Sequence, residues 1–176
     1  RKGLDEVFEA AGITALDFVG SFVSKCPYMP VRHPTHEFNL RLSEMVLEVL
    51  RDSSALDDYE ATGAWFLFGQ LSRMRPPVAQ QQIEAGAPEV AVAFLRSTET
   101  EHVVQWSSAS GSNRWGAVFL GLANMAAGDI PHRLRLQLVQ TPGLFEVLLE
   151  TLVAFEKMAN PRDSSNYVVT YALDCL

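Results

Sequence analysis

Apolar positions along the chain recur with the period of an α-helix, and short polar, glycine- or proline-containing stretches separate them. The clearest instance runs from Gly111 to Glu156, where a helix, a short helix, a turn at Gly143 and a further helix follow one another. The last of these helices carries an i, i+3, i+4 stripe formed by Leu144, Val147, Leu148, Thr151 and Leu152. The pattern therefore predicts an all-α protein.

The same periodicity predicts further helices on both sides of this region. They span His36 to Arg51, Asp57 to Met74, Gln80 to Glu84, Pro88 to Arg96 and Ser112 to Ala127, and another begins after Ser164. Asp57 to Met74 is apolar on most of its sides, so we expect it to be the most buried helix. Glycine turns are expected at Gly86 and Gly143.

Parts of this pattern repeat along the chain. Three segments can be aligned as VFEAAGITAL, QIEAGAPEVA and LVQTPGLFEV, beginning at Val7, Gln82 and Leu138. Gln70 and Asn124, which lie 54 positions apart, occupy matching places in the two long apolar helices. Units of this size cannot cover their own apolar faces, so neighbouring units must stack on one another.

One segment interrupts the repeat. Lys25 to Thr35 contains three prolines and is predicted to be a loop, and the helix from His36 to Arg51 follows it. We interpret residues 25–54 as an inserted proline-rich loop plus an extra helix, and as a place for specialised contact, within a single repeat domain spanning residues 1–176. Since the chain begins at Arg1 with an apolar pattern already in progress, it is interpreted as a piece of a longer array.

Composition narrows the classes of function. The chain has 176 residues, 48% of them hydrophobic, and a net charge of −7, which disfavours binding to nucleic acid or to an anionic membrane. No apolar run approaches the roughly 18 residues that a membrane span needs. Cys26 and Cys175 lie far apart with no zinc-type spacing, which favours a reducing compartment such as the cytoplasm.

The order of short helix, glycine turn, amphipathic helix and longer helix resembles the armadillo repeat. The residues that carry this resemblance are Gln82 to Arg96, Ala64 to Ser72, Ala117 to Ala126 and Gly143 to Leu152. It implies a right-handed α-solenoid whose concave surface binds partner proteins or peptide segments. The lining side chains that it implies are Phe66, Gln70, Arg73, Leu120 and Asn124. In nuclear-import members of the family, a Trp and an Asn bind the peptide, and here those places hold Phe66 with Gln70 and Leu120 with Asn124.

Individual polar and aromatic residues refine this expectation. An amide in the apolar helix at Asn124 needs a partner, either a backbone group within the array, which we favour, or a bound peptide. Trp65 is predicted to lie in the core. Trp106 and Trp115 have polar sequence neighbours and are predicted to lie at an interface.

Candidate chemistry is sparse. Cys26, His33, His36 and Glu37 cluster in the sequence, but their spacing matches no zinc pattern, so we expect neither a metal nor a cofactor. No nucleophile, base and orienting group converge, so we expect no catalysis. The leading interpretation is a non-catalytic scaffold or adaptor that binds a partner on its concave face or inserted loop, and the alternative is a permanent structural subunit of a large assembly.

Overall fold

The computed structural model describes residues 36–52, 56, 58–74, 76–97, 114–127 and 129–156. The described residues form seven α-helices and contain no strand, which confirms the all-α class. The helices are α1 (His36–Arg51), α2 (Asp58–Met74), α3 (Pro76–Glu84), α4 (Ala87–Ser97), α5 (Arg114–Ala127), α6 (His132–Val139) and α7 (Leu144–Glu156).

Local sequence signals place most of the helix boundaries. Gly86 and Gly143 both have φ = +81°, a backbone conformation that glycine adopts without the steric cost of a side chain, and each ends the turn before a helix. The short helix α3 begins at Pro76, four residues before the predicted start at Gln80. Proline fits the first turn of a helix because the N–H that it lacks would have no partner within the helix.

Three of the contacts between helices join helices of the same kind. The most extensive contact is between the two long apolar helices, α2 and α5. The short helix α3 packs against the short helix α6, and α4, which follows the first glycine turn, packs against α7, which follows the second. Each of these contacts therefore joins an element to its counterpart in the next copy of the sequence pattern.

Helix α1 packs against α2, α3 and α4, and it contributes to the same core. Leu42, Val46 and Leu50 form its buried face and belong to one hydrophobic cluster with the other helices. Because this face is buried inside the fold, the part of residues 25–54 that the structure describes as helix is an integral layer of the core. The proline-rich residues 25–35 lie outside the described residues.

The largest fully buried side chains come from several helices. They are Trp65, Phe68, Phe119, Leu42, Leu50, Leu71, Ile83, Leu95, Leu122, Met125, Leu134 and Leu148. Trp65 makes an edge-to-face contact with Phe68 and a tilted contact with Phe94, both at a ring-centroid distance of 5.8 Å. The prediction that Trp65 is a core residue is confirmed, since it has no exposed surface.

Candidate binding surface

Three of the predicted lining residues lie on one side of α2. Phe66 and Gln70 are part-buried and Arg73 is exposed, and their spacing of four and three residues places them on one face of the helix. The opposite face of α2, which includes Trp65 and Phe68, is buried in the core. We call Phe66, Gln70 and Arg73 the α2 stripe.

Helix α5 presents a narrower stripe at matching positions. Its described side chains are buried except those of Leu120, Asn124, Ala126 and Ala127. Leu120, Asn124 and Ala127 have the same spacing as the α2 stripe, and each lies 54 positions after its α2 counterpart. These three residues form the α5 stripe.

A close backbone approach brings α2 and α5 together. A β-carbon on Gly69 would lie 2.9 Å from the Cα atom and 3.2 Å from the nitrogen atom of Gly121. In the other direction the space is larger, since a β-carbon on Gly121 would lie 3.8 Å from the Gly69 Cα atom. Only a residue without a side chain at position 69 permits this distance between the two helices.

Asn124 ties the two helices to each other. Its Nδ2 atom donates a hydrogen bond of 3.0 Å to the backbone oxygen of Gly69. This is the internal role that the sequence analysis favoured for the amide, and it is confirmed. The bond uses an N–H donor, so the Oδ1 atom of Asn124 retains its acceptor capacity. Asn124 is part-buried, at the border between the helix contact and the surface.

Polar side chains also link α1, α2 and α3. Gln82 is 1% exposed, and its Nε2 atom donates to Ser43 Oγ at 2.9 Å and to the backbone oxygen of Phe68 at 3.2 Å. Ser72 Oγ donates to the Oε1 atom of Gln82 in a short hydrogen bond. Both ends of the buried amide are therefore satisfied, which is what burial of such a group requires.

Similar ties join the later helices. The Nε2 atom of Gln137 on α6 donates to the backbone oxygen of Ile83 on α3 at 3.2 Å. Arg133 and Glu84 form an ion pair of 2.6 Å between the same two helices. Because this pair is exposed, it contributes little to the stability of the fold.

The predicted interface role of Trp115 is corrected. Its side chain is only 3% exposed and packs in an edge-to-face arrangement on Phe119, at a ring-centroid distance of 6.2 Å. Polar neighbours in the sequence suggested exposure, but Trp115 lies in the first turn of α5, and residues 115–119 of this helix are all buried. The ring is therefore a core contact. Trp106 lies outside the described residues.

Sequence reasoning missed a second apolar face on α7. The predicted stripe is buried at Leu144, Val147, Leu148 and Thr151, whereas Phe145, Leu149 and Val153 are exposed on another side. The available signal was their own four-residue spacing, which places three apolar side chains together on a helix.

The described residues were also compared with the requirements of a metal site and of a membrane-spanning helix. Within the described ranges, no three His, Cys, Asp or Glu side chains are grouped to hold a metal ion, and Cys26 and His33 of the sequence cluster lie outside those ranges. No helix in the described part of the chain combines the length and the apolar composition that a membrane span needs.

Comparison of the chain with protein-family models, with curated proteins and with solved structures gives no match in any of the three.

Proposed function

We propose that the chain is an armadillo-like, right-handed α-solenoid that acts as a non-catalytic scaffold or adaptor and binds a segment of a partner protein along α2 and α5. The observation that carries this proposal is the match between the two stripes. Each is the accessible side of a long and otherwise largely buried helix, and each presents an apolar residue followed one turn later by an amide.

The packing order supports the solenoid. In a repeat array each unit contacts its neighbours, so equivalent helices of successive units lie side by side. The contacts of α2 with α5, α3 with α6 and α4 with α7 have this form. In such an array, one unit consists of α1 and α2, and the next consists of α3, α4 and α5. Helix α1 is then the counterpart of α3 and α4 together, because it packs against both of them and directly precedes α2 in the chain. Two layers result, with α2 and α5 in one and the remaining helices in the other.

The chemistry of the stripes favours a peptide segment as the ligand. Phe66 and Leu120 offer part-buried apolar surface, while Gln70 offers both an amide donor and an amide acceptor. The Oδ1 atom of Asn124 adds an acceptor whose position is fixed by the bond to Gly69. An extended or helical segment can therefore bury an apolar side chain and form main-chain hydrogen bonds at the same surface.

Peptide selection followed by matched substitution tests this proposal. Twelve-residue peptides would be selected from a displayed random library against the intact chain, and their affinities measured by fluorescence anisotropy. Leu120→Ser on α5 is expected to weaken the selected peptides at least tenfold, which corresponds to about 1.4 kcal/mol. Leu136→Ser on α6 makes the same chemical change at an exposed site elsewhere, and it is expected to leave the affinity unchanged.

Circular dichroism of both variants would establish that the helical content is intact. Selected peptides that bind the Leu120→Ser variant as tightly as the wild type would contradict the proposed site.

A further inference from the structure

The exposed large hydrophobic side chains of the described residues are all on two helices. Leu136 and Val139 on α6 are 44% and 49% exposed, and Phe145, Leu149 and Val153 on α7 are 44%, 57% and 47% exposed. The three residues of α7 recur every four positions and therefore line one side of the helix. We call Phe145, Leu149 and Val153 the α7 stripe.

The corresponding side of α4 is a packing interface. When the helices are aligned on Gly86 and Gly143, which share φ = +81°, the α7 stripe corresponds to Pro88, Val92 and Arg96 of α4. Pro88 is buried and Val92 is only 5% exposed.

Arg96 identifies what this side of α4 faces. Its guanidinium lies against Gly143, where a β-carbon would come within 2.7 Å of the Arg96 Cζ atom. Since Gly143 immediately precedes α7, and α4 packs against α7, this side of α4 is directed at the helix that follows in the packing order. The α7 stripe is therefore the side of α7 that corresponds to the side of α4 on which α7 packs.

The charges beside the α7 stripe favour a basic helix over a second copy of this chain as the binding partner. Glu146 and Glu150 are exposed beside the α7 stripe, and α7 contains no Lys or Arg. Neither carboxylate forms an ion pair with another residue in the part of the chain that the structure describes. A second copy docked face to face through α7 would bring these acidic groups together, and each chain has a net charge of −7. A helix with basic residues beside its apolar side complements both features.

We propose that the α7 stripe binds an amphipathic α-helix of a partner protein whose apolar side packs on Leu149 and whose Lys or Arg residues pair with Glu146 and Glu150. The partner helix would pack on α7 in the same way as α7 packs on α4. The surface is separate from the stripes on α2 and α5, so the inference does not depend on the peptide-binding proposal.

A designed peptide tests the inference directly. The probe is a labelled, capped 14-residue helix of Leu and Lys in amphipathic order, and its binding to the intact chain is measured by fluorescence anisotropy. Leu149→Ser is expected to weaken binding at least tenfold, whereas the matched Leu136→Ser change on α6, which lies outside the α2, α5 and α7 stripes, is expected to have no effect. The double change Glu146→Lys with Glu150→Lys is also expected to weaken it at least tenfold, and to allow binding of the corresponding Leu and Glu peptide.

Three results would overturn the inference. The first is equal affinity of wild type and Leu149→Ser for the basic peptide, which would indicate non-specific attraction to an acidic protein. The second is a dimer in sedimentation equilibrium that Leu149→Ser dissociates, which would make a second copy the occupant. The third is failure of the basic peptide to bind the wild type, the result expected if the helix predicted after Ser164 of this chain is the occupant. Because Leu149→Ser tests the α7 stripe and Leu120→Ser tests the α5 stripe, each against Leu136→Ser, loss of one site is distinguishable from loss of the other.

Discussion

The contact between Gly69 and Gly121 predicts opposite effects of the same substitution on its two sides. In Gly69→Ala the new methyl group would lie 2.9 Å from a backbone atom of the facing helix, which cannot rotate away as a side chain can. In Gly121→Ala the nearest atom would be 3.8 Å away, an ordinary van der Waals distance. The first change therefore forces α2 and α5 apart, and the second fits the existing space.

The magnitude follows from two terms. Overpacking a well-packed contact costs about 1–3 kcal/mol. Replacing Gly by Ala within a helix gains about 0.8–1.0 kcal/mol, and both variants receive this gain. The difference between the two variants isolates the steric term, so Gly121→Ala is expected to be more stable than Gly69→Ala by about 1–3 kcal/mol. For a chain of this length, that difference corresponds to a separation in Tm of roughly 2–12 °C.

Urea denaturation, followed by circular dichroism and by tryptophan fluorescence, would measure the free energy of unfolding of both variants. Similar denaturant slopes are required for the comparison, because a changed slope indicates a changed native or denatured state. Gly121→Ala is expected to equal or exceed the wild type in stability. Equal midpoints for the two variants, or a higher midpoint for Gly69→Ala, would refute the close approach of the helices.

Two further predictions concern hydrogen bonds between helices. Gln82→Leu removes the bonds to Ser43, Ser72 and the Phe68 carbonyl and is expected to reduce the free energy of unfolding by about 1–3 kcal/mol, as measured by urea denaturation. Gln80→Leu, a part-buried neighbour, serves as the control, and equal losses would contradict the buried network. Asn124→Leu is expected to lose about 0.5–1.5 kcal/mol with its bond to the opposite helix. Asn124→Asp should lose more, since a carboxylate is only an acceptor and its negative charge would face the Gly69 carbonyl oxygen. A loss no larger than that of Asn124→Leu would contradict the predicted bond between Asn124 and Gly69.

Local features of the fold were predictable from the sequence. The predicted bounds of α1 agree with the structure at both ends, because amphipathic periodicity is a property of neighbouring residues. The turns at Gly86 and Gly143 followed from glycine, which alone adopts positive φ without strain. The main local error was the start of α3, which was predicted at Gln80, whereas the helix begins at Pro76 because proline fits the first turn of a helix.

Features that depend on distant residues were not predictable in the same way. Nothing local to Gly69 indicates that Gly121 faces it, and nothing local to Gln82 indicates that Ser43 supplies an acceptor across another helix. Trp115 was placed at an interface because of its polar sequence neighbours, whereas burial is decided by the packing of α5. The candidate site combines both kinds of information. Its four- and three-residue spacing was visible in the sequence, while its accessibility required the tertiary packing.

Some residues of the two stripes stabilise the fold as well as facing the surface, and these cannot test the peptide-binding proposal cleanly. Asn124 stabilises the contact with Gly69 and also faces the surface, so any substitution there changes stability and ligand chemistry together. Phe66 packs partly against the hydrophobic core, so its removal has the same ambiguity. Leu120 is part-buried and lies one turn before Asn124, outside the set of residues in the buried cluster or packed directly against it. A loss of peptide affinity in Leu120→Ser, with the helical content unchanged, therefore reports on the surface itself.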